Sequence, residues 1–292
     1  MLIGSGEPSM IESHFGLTRR PFFLHPEDAP YAATSFEHCL AATLEALEAG
    51  DSMVVLTGVP GVGKSLLARV LSQRLDAQIA YVTTAVNDRA GLLQAILYDL
   101  GLPHEGRPER ELRLTLVDHL LAEFASGRRT VFLIDEAHTL RLELLEELRT
   151  LMNLEGALQI VLLGQPSLVE TLARPELAGL RQRIVHCHTL EPMSVEESAD
   201  YVLHYLRQAG ANPDLMGTET LELLATHCGG LPRRLNQAMT RALRLTAQAQ
   251  TQEIEVEIML DVLSSLGLSV SEPANSAANE PAYRLFAPAH RA

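Results

Sequence analysis

The 292-residue sequence contains no cysteine pair at motif spacing: Cys39, Cys187 and Cys228 lie far apart and form no C-x-x-C. This argues against a zinc ribbon and against a disulfide-stapled fold. No apolar run approaches the roughly 20 residues needed to cross a bilayer. The amino terminus, MLIGSGEPSM, lacks the basic start and apolar centre of a secretory signal. A reducing cytoplasm is the expected location. Positive charge is also scarce, with 23 Lys and Arg against 37 Asp and Glu and a formal net charge of −14. The chain as a whole repels polyanions, so nucleic-acid binding would need a local basic face.

The sequence is rich in apolar residues, at 47%, enough to bury a sizeable core and to build two domains of ordinary size. Consecutive apolar runs occur at 53–57 (MVVLT), 79–83 (IAYVT), 131–134 (VFLI) and 158–163 (LQIVLL), with a fifth at 183–188 (RIVHCH). Runs that do not alternate suit parallel strands covered on both faces, and helical patterns separate them. The expectation is a doubly wound α/β layer of five parallel strands, followed by a small α-helical domain. The strand-like runs stop at Pro192, and 194–267 read as three or four helices. The expected organisation is an amino-terminal segment 1–34 packed on the core, a core at 35–191, a helical domain at 192–268 and a disordered tail at 269–292. Within that tail Tyr283, Leu285 and Phe286 form a short apolar patch suited to docking.

The stretch GVPGVGKS follows the first strand and opens a helical pattern, matching G-x-x-x-x-G-K-S in its required context. Gly58, Gly61 and Gly63 let the backbone curl so that the N–H groups of Gly58, Val59, Pro60's neighbours, Val62 and Leu66 gather around phosphates. Lys64 can reach the outer phosphates of ATP, and the Ser65 hydroxyl can serve Mg²⁺. A glycine turn capping a helix would require neither Lys64 nor Ser65. VFLIDEAH then places Asp135 and Glu136 at the carboxyl end of a strand, where ligands gather in open α/β sheets. Asp135 suits Mg²⁺, and Glu136 suits polarising the attacking water. Such a pair can also cap the next helix. His138 reads as an ordinary helix-start residue, and His186 with His188 lacks a third metal ligand.

In order along the chain, FGLTRRPF, GVPGVGKS, VFLIDEAH, LLGQPSL, LAGLRQRI and GGLPRRLN resemble the AAA+ ATPases, and more closely the branch of general secretion pathway protein A and MSHA pilus biogenesis protein M. These motifs span about nine tenths of the chain. The resemblance implies a P-loop core with a helical lid and a Mg²⁺-dependent ATPase that self-associates into a ring or helical oligomer. It implies sensor 1 at Gln165, whose plainer reading is a capping amide. It implies an arginine finger at Arg183 or Arg181, serving the neighbouring subunit's nucleotide, and sensor 2 at Arg233 with Arg234 as competitor. Arg233, Arg234, Arg241 and Arg244 share one arc of their helix, an arc suited to nucleotide, an acidic neighbour or DNA. Phe15, Leu17 and Phe22 either approach the adenine ring or anchor their segment to the core. The chain departs from similar secretion proteins after NLE at 153–155, where it runs directly through Gly156-Ala157 into the next strand. The implied role is supporting assembly of an envelope apparatus, a pilus or a type II secretion-like machine, through a protein partner. Two other readings stay open: a DNA-associated ATPase regulating transposition, which the net charge opposes, and an ATP-gated scaffold.

Overall fold

The computed structural model describes residues 10–23, 30–83, 86–154 and 156–268. The tail patch of Tyr283, Leu285 and Phe286 lies outside the described residues. The chain divides into two compact units: residues from Phe36 to Glu191 form one, and the residues up to Ser35 group with those from Pro192 in the other.

The first unit is built on a five-stranded parallel sheet of β1 (Met53–Thr57), β2 (Gln78–Val82), β3 (Thr130–Ile134), β4 (Gln159–Gly164) and β5 (Ile184–Thr189), in the order β2-β3-β4-β1-β5. Every residue of β1, β3 and β4 is buried, which is why these strands read as unbroken apolar runs rather than alternating ones. The edge strands β2 and β5 are only partly covered, and their sequences admit Tyr81, His186 and His188. Helices occupy the connections. Leu142–Leu151 buries Leu144, Leu145, Leu148 and Leu151, spaced three and four apart so that one stripe faces the core. Phe132, fully buried, lies in the same cluster as Leu92, Ile96, Leu116 and Leu162.

Because all pairings are parallel, the carboxyl ends of β1, β3 and β4 lie at one end of the sheet. The register aligns Leu56 with Leu163, Thr57 with Gly164 and Ile134 with Leu162. The segments that follow these strands therefore emerge side by side, and they are the segments carrying the phosphate-loop sequence, Asp135-Glu136 and Gln165.

The second unit holds helices Val195–Gln208, Thr218–His227, Pro232–Gln248 and Val256–Ser265. The first is started by a reciprocal capping box, with Ser194 and Glu197 each satisfying the other's backbone N–H. Gly229 and Gly230 both take left-handed φ values, 60° and 70°, just before Pro232 begins its helix in the first turn, where a missing N–H costs nothing. At Gly230 a side chain would collide with the Met193 backbone, whose N–H donates to the Gly230 carbonyl at 3.0 Å.

The described residues of the amino-terminal segment up to Ser35 group with the helical unit. The helix Met10–Phe15 packs against Pro232–Gln248. The Thr18 N–H donates to the Ala209 carbonyl at 2.9 Å, Arg19 donates to the Gln208 side chain at 2.6 Å, and the Tyr31 N–H donates to the Tyr205 hydroxyl at 3.2 Å. Leu17 is buried, and the Phe22 ring lies 6.1 Å from that of Tyr205. Leu17 and Phe22 thus pack within the helical unit. The sequence showed that the segment would bury apolar groups but carried no signal for which body would receive them.

Candidate functional site

Residues 58–63 leave β1 and turn sharply into the helix Lys64–Arg74. Gly58, Gly61 and Gly63 shape the turn, Gly61 at φ 85°. Gly63, the residue before the helix, sits at φ 119°, a conformation that a residue with a Cβ rarely adopts. At Gly58 an added Cβ would lie 2.8 Å from the Leu190 carbonyl oxygen, so only hydrogen fits between the loop and the end of β5. The Gly58 N–H donates to the Gly164 carbonyl at 3.2 Å, tying the loop to the end of β4.

Lys64 is 6% exposed, and its ammonium donates to the carbonyls of Gly58 at 2.9 Å and Val59 at 3.2 Å. Burial pushes this amine below the usual lysine range, while the Glu136 and Asp135 carboxylates act in the opposite direction. Next to it, the Ser65 hydroxyl donates to Asp135 Oδ2 at 2.5 Å. That bond joins the phosphate-loop helix to the end of β3 across 70 residues of sequence. Asp135 is buried, and its other oxygen accepts the Glu136 N–H at 2.9 Å.

Glu136 adopts φ 52°, ψ 31°, left-handed backbone that costs a non-glycine residue about 1–2 kcal/mol. Its side chain is half exposed, and the His138 Nε2 lies 3.6 Å from its carboxylate. His138, in the short helix Ala137–Thr139, is part-buried, and its buried Nδ1 has no hydrogen-bond partner among the described residues. The sequence reading of His138 as a plain helix-start residue thus missed its proximity to Glu136. Gln165, half buried, directly follows Gly164 and so belongs to the same end of the sheet. Tyr81, which the sequence did not single out, is also part of the cluster: its hydroxyl donates toward Asp135 Oδ2 at 3.2 Å and lies 3.4 Å from the Ser65 carbonyl oxygen.

The structure therefore brings together Lys64, Ser65, Asp135 and Glu136, with Gln165 on the adjoining strand end. It does not bring Arg181 or Arg183 to them. Arg183 precedes β5, and its carbonyl accepts from Ser52 just ahead of β1, at the opposite end of the sheet. Its guanidinium contacts the Met152 carbonyl at 3.4 Å and Asn153 at 3.1 Å, while that of Arg181 donates to the Ala173 carbonyl at 3.0 Å. Arg233, Arg234, Arg241 and Arg244 are exposed on the helix Pro232–Gln248 of the other unit.

These residues fit a Mg²⁺-bound nucleotide. Among the described residues no group of three or more His, Cys, Asp or Glu side chains could hold a metal by itself. Mg²⁺ does not need one, since it takes one or two protein oxygens and completes its shell with phosphates and water. Ser65 Oγ and Asp135 Oδ2 are two such hard oxygens, placed beside a buried cation and a glycine loop too tight for any side chain at Gly58.

Residues 47–172 match the family model described as an AAA domain. Over 243 residues the chain is 37% identical to the general secretion pathway protein A of Aeromonas hydrophila, an alignment that takes in 80% of this chain and 44% of that protein. The chain thus spans less than half the length of this relative. Among solved structures, the fold is similar to the ORC2 protein of Aeropyrum pernix in its ADPNP–ADP complexes, with a TM-score of 0.68 at 17% identity over 85% of this chain and 72% of that one. It is also similar to the RuvB Holliday junction branch migration motor of Thermotoga maritima, with a TM-score of 0.54 at 20% identity over 81% and 70% of the two chains. Those two likenesses concern the fold. Among the described residues, no helix is long and apolar enough to cross a membrane.

Proposed function

Because this chain belongs to the AAA+ family, on the branch of general secretion pathway protein A, we propose that it hydrolyses Mg-ATP as an oligomeric motor or switch supporting assembly of an envelope apparatus, a pilus or a type II secretion-like machine. The observation that carries the catalytic half of this reading is the Ser65–Asp135 hydrogen bond beside buried Lys64. It joins the loop that suits phosphates to the strand end that suits the metal.

In the proposed reaction the backbone N–H groups of the loop at residues 61–66 and the Lys64 ammonium bind the phosphates. Ser65 and Asp135 would hold Mg²⁺, which when bound would offset charge on the phosphate oxygens. Glu136 accepts a proton from the water that attacks the γ-phosphorus, and Gln165 orients that water. The bond to the β-phosphate oxygen breaks, leaving ADP and phosphate. Arg183, with Arg181 as alternative, serves a neighbouring copy, because neither reaches the cluster of its own chain. Arg233 has the sensor 2 role that the resemblance implies.

Lys64 is the sole lysine of the sequence, so an amine-reactive reagent marks only it and the amino terminus. Mg-ATP is expected to slow acylation of Lys64 at least tenfold while leaving the amino terminus unchanged. Equal labelling of Lys64 with and without saturating Mg-ATP would remove the nucleotide site. For the cellular role, the Glu136→Gln variant held with ATP is expected to retain components of an envelope machine.

A second reading rests on the exposed arginines at 233, 234, 241 and 244, which lie on a helix without a single acidic residue. It is a DNA-associated ATPase, and it calls for salt-sensitive, ATP-dependent binding to duplex DNA. ATPase and binding that ignore added duplex would end that reading.

A further inference from the structure

Tyr81 belongs to β2, an edge strand, and is paired with Leu133 of β3. The ladder runs one residue further, with the Asp135 N–H donating to the Val82 carbonyl at 2.9 Å. The Tyr81 backbone is fixed as well, its N–H donating to Asp99 at 2.6 Å. From this anchored position the phenol reaches the carboxylate at the next strand's end. Its hydroxyl lies 3.2 Å from Asp135 Oδ2, the same oxygen that accepts from Ser65, and 3.4 Å from the Ser65 carbonyl. One hydroxyl carries one proton, and of these two acceptors the charged carboxylate is the stronger.

Resting on the ATPase reading above, we propose that Tyr81 is a positioning residue of the magnesium site, its hydroxyl fixing the Asp135 carboxylate in the orientation that faces Ser65. Three donors then define that carboxylate: Ser65 and Tyr81 at Oδ2, and the Glu136 N–H at Oδ1. Only Tyr81 comes from outside the two motifs. Groups that orient a metal-binding carboxylate in this way typically contribute 10- to 100-fold to metal affinity. The glycine loop, Lys64 and the phosphate contacts do not depend on this hydroxyl, so its effect is expected on magnesium and not on nucleotide alone.

The test is Tyr81→Phe, which keeps the ring and removes only the hydroxyl. A fluorescent ATP analogue is titrated into the full chain in excess EDTA, and its binding is then followed as a function of MgCl₂. The expected result is a rise of about tenfold in half-saturating Mg²⁺, with unchanged affinity in EDTA. Tyr98→Phe is the control: that ring is 71% exposed and packs against His104, and it should change neither quantity. An unchanged magnesium requirement in Tyr81→Phe overturns the proposal. So does an equal loss of affinity with and without Mg²⁺, which would make the residue a packing group. Failure of the native chain to bind the analogue at all is a different result, since it removes the ATPase reading itself and this inference with it.

Discussion

The two ends of the parallel sheet differ in what they hold. The carboxyl end collects Lys64, Ser65, Asp135, Glu136 and Gln165 around the Ser65–Asp135 hydrogen bond. The amino end holds Ser52, Asp51 paired with His186 at 3.0 Å, and Arg183 with its guanidinium turned toward Met152 and Asn153. β1 separates them with five residues, about 16 Å at the rise of an extended strand. A chain built this way has the groups to bind and polarise a phosphate at one end and a candidate charge-stabilising arginine at the other. It has no route to unite them within itself. Under the proposed function, that difference is the reason a second copy would be needed: it would supply the arginine that the chain's own topology keeps away from its cluster.

The most severe way to break the comparison is to empty the carboxyl end. Lys64→Ala removes the buried ammonium, and it is expected to abolish detectable nucleotide binding and to lower turnover by about 10³-fold or more. Equilibrium binding of a labelled nucleotide checks the first, phosphate release the second. Removing the amino-end arginines together, as Arg181→Ala with Arg183→Ala, should leave binding intact and lower turnover by about 10³-fold. Loss of binding in that variant would mean that the two ends are not independent. Glu136→Gln should come next, with turnover down about 10²-fold and ATP retained. It also keeps the left-handed backbone at that position, so thermal stability should stay close to native.

Much of this contrast was legible in the sequence, and the reason is local. Unbroken apolar runs at β1, β3 and β4 mark strands buried on both faces, and a glycine-rich loop or an acidic pair directly after such a run lies at its carboxyl end by chain direction alone. What escaped was what depends on partners distant in sequence. Tyr81 reads as one more aromatic in an edge strand, and its hydroxyl acquires a role only when β2 pairs with β3 and sets it beside Asp135. His138 approaches Glu136 only because Glu136 takes a left-handed turn, which no propensity for glutamate announces. The segment that includes Leu17 and Phe22 is apolar enough to be anchored, yet its attachment to the helical unit runs through backbone and side-chain hydrogen bonds to Ala209, Gln208 and Tyr205.

Smaller effects sharpen the contrast between the sheet unit and the helical unit. Gly230→Ala forces a Cβ onto the Met193 backbone at φ 70°, and it should destabilise the helical unit by about 1–3 kcal/mol. Hydrogen exchange followed by peptide should report faster exchange in 192–268 while the protection of β1, β3 and β4 persists; uniform loss of protection would mean that the units melt together. The mildest effect concerns pH. His188 on β5 is held below its ordinary pKa by burial first, then by His186 and His38. Its neutral form is favoured in the fold, so the unfolded chain takes up the proton first. Stability should be unaffected above about pH 6.5 and fall as the pH drops below that value, until the folded-state pKa is passed. His188→Leu should flatten this acid-side loss in a thermal melt series, and an identical slope in the variant would remove His188 as its source.

The most direct measurement mixes two inactive chains. Lys64→Ala retains its amino-end arginines, whereas the Arg181→Ala and Arg183→Ala double variant retains its carboxyl-end cluster. If the working site forms between copies, combining them in equal amounts restores a readily measured part of native ATP turnover, although neither turns over alone. If the mixture stays as inactive as its components while both variants still associate with native chains, the site is not shared between copies, and the account of the two ends is wrong.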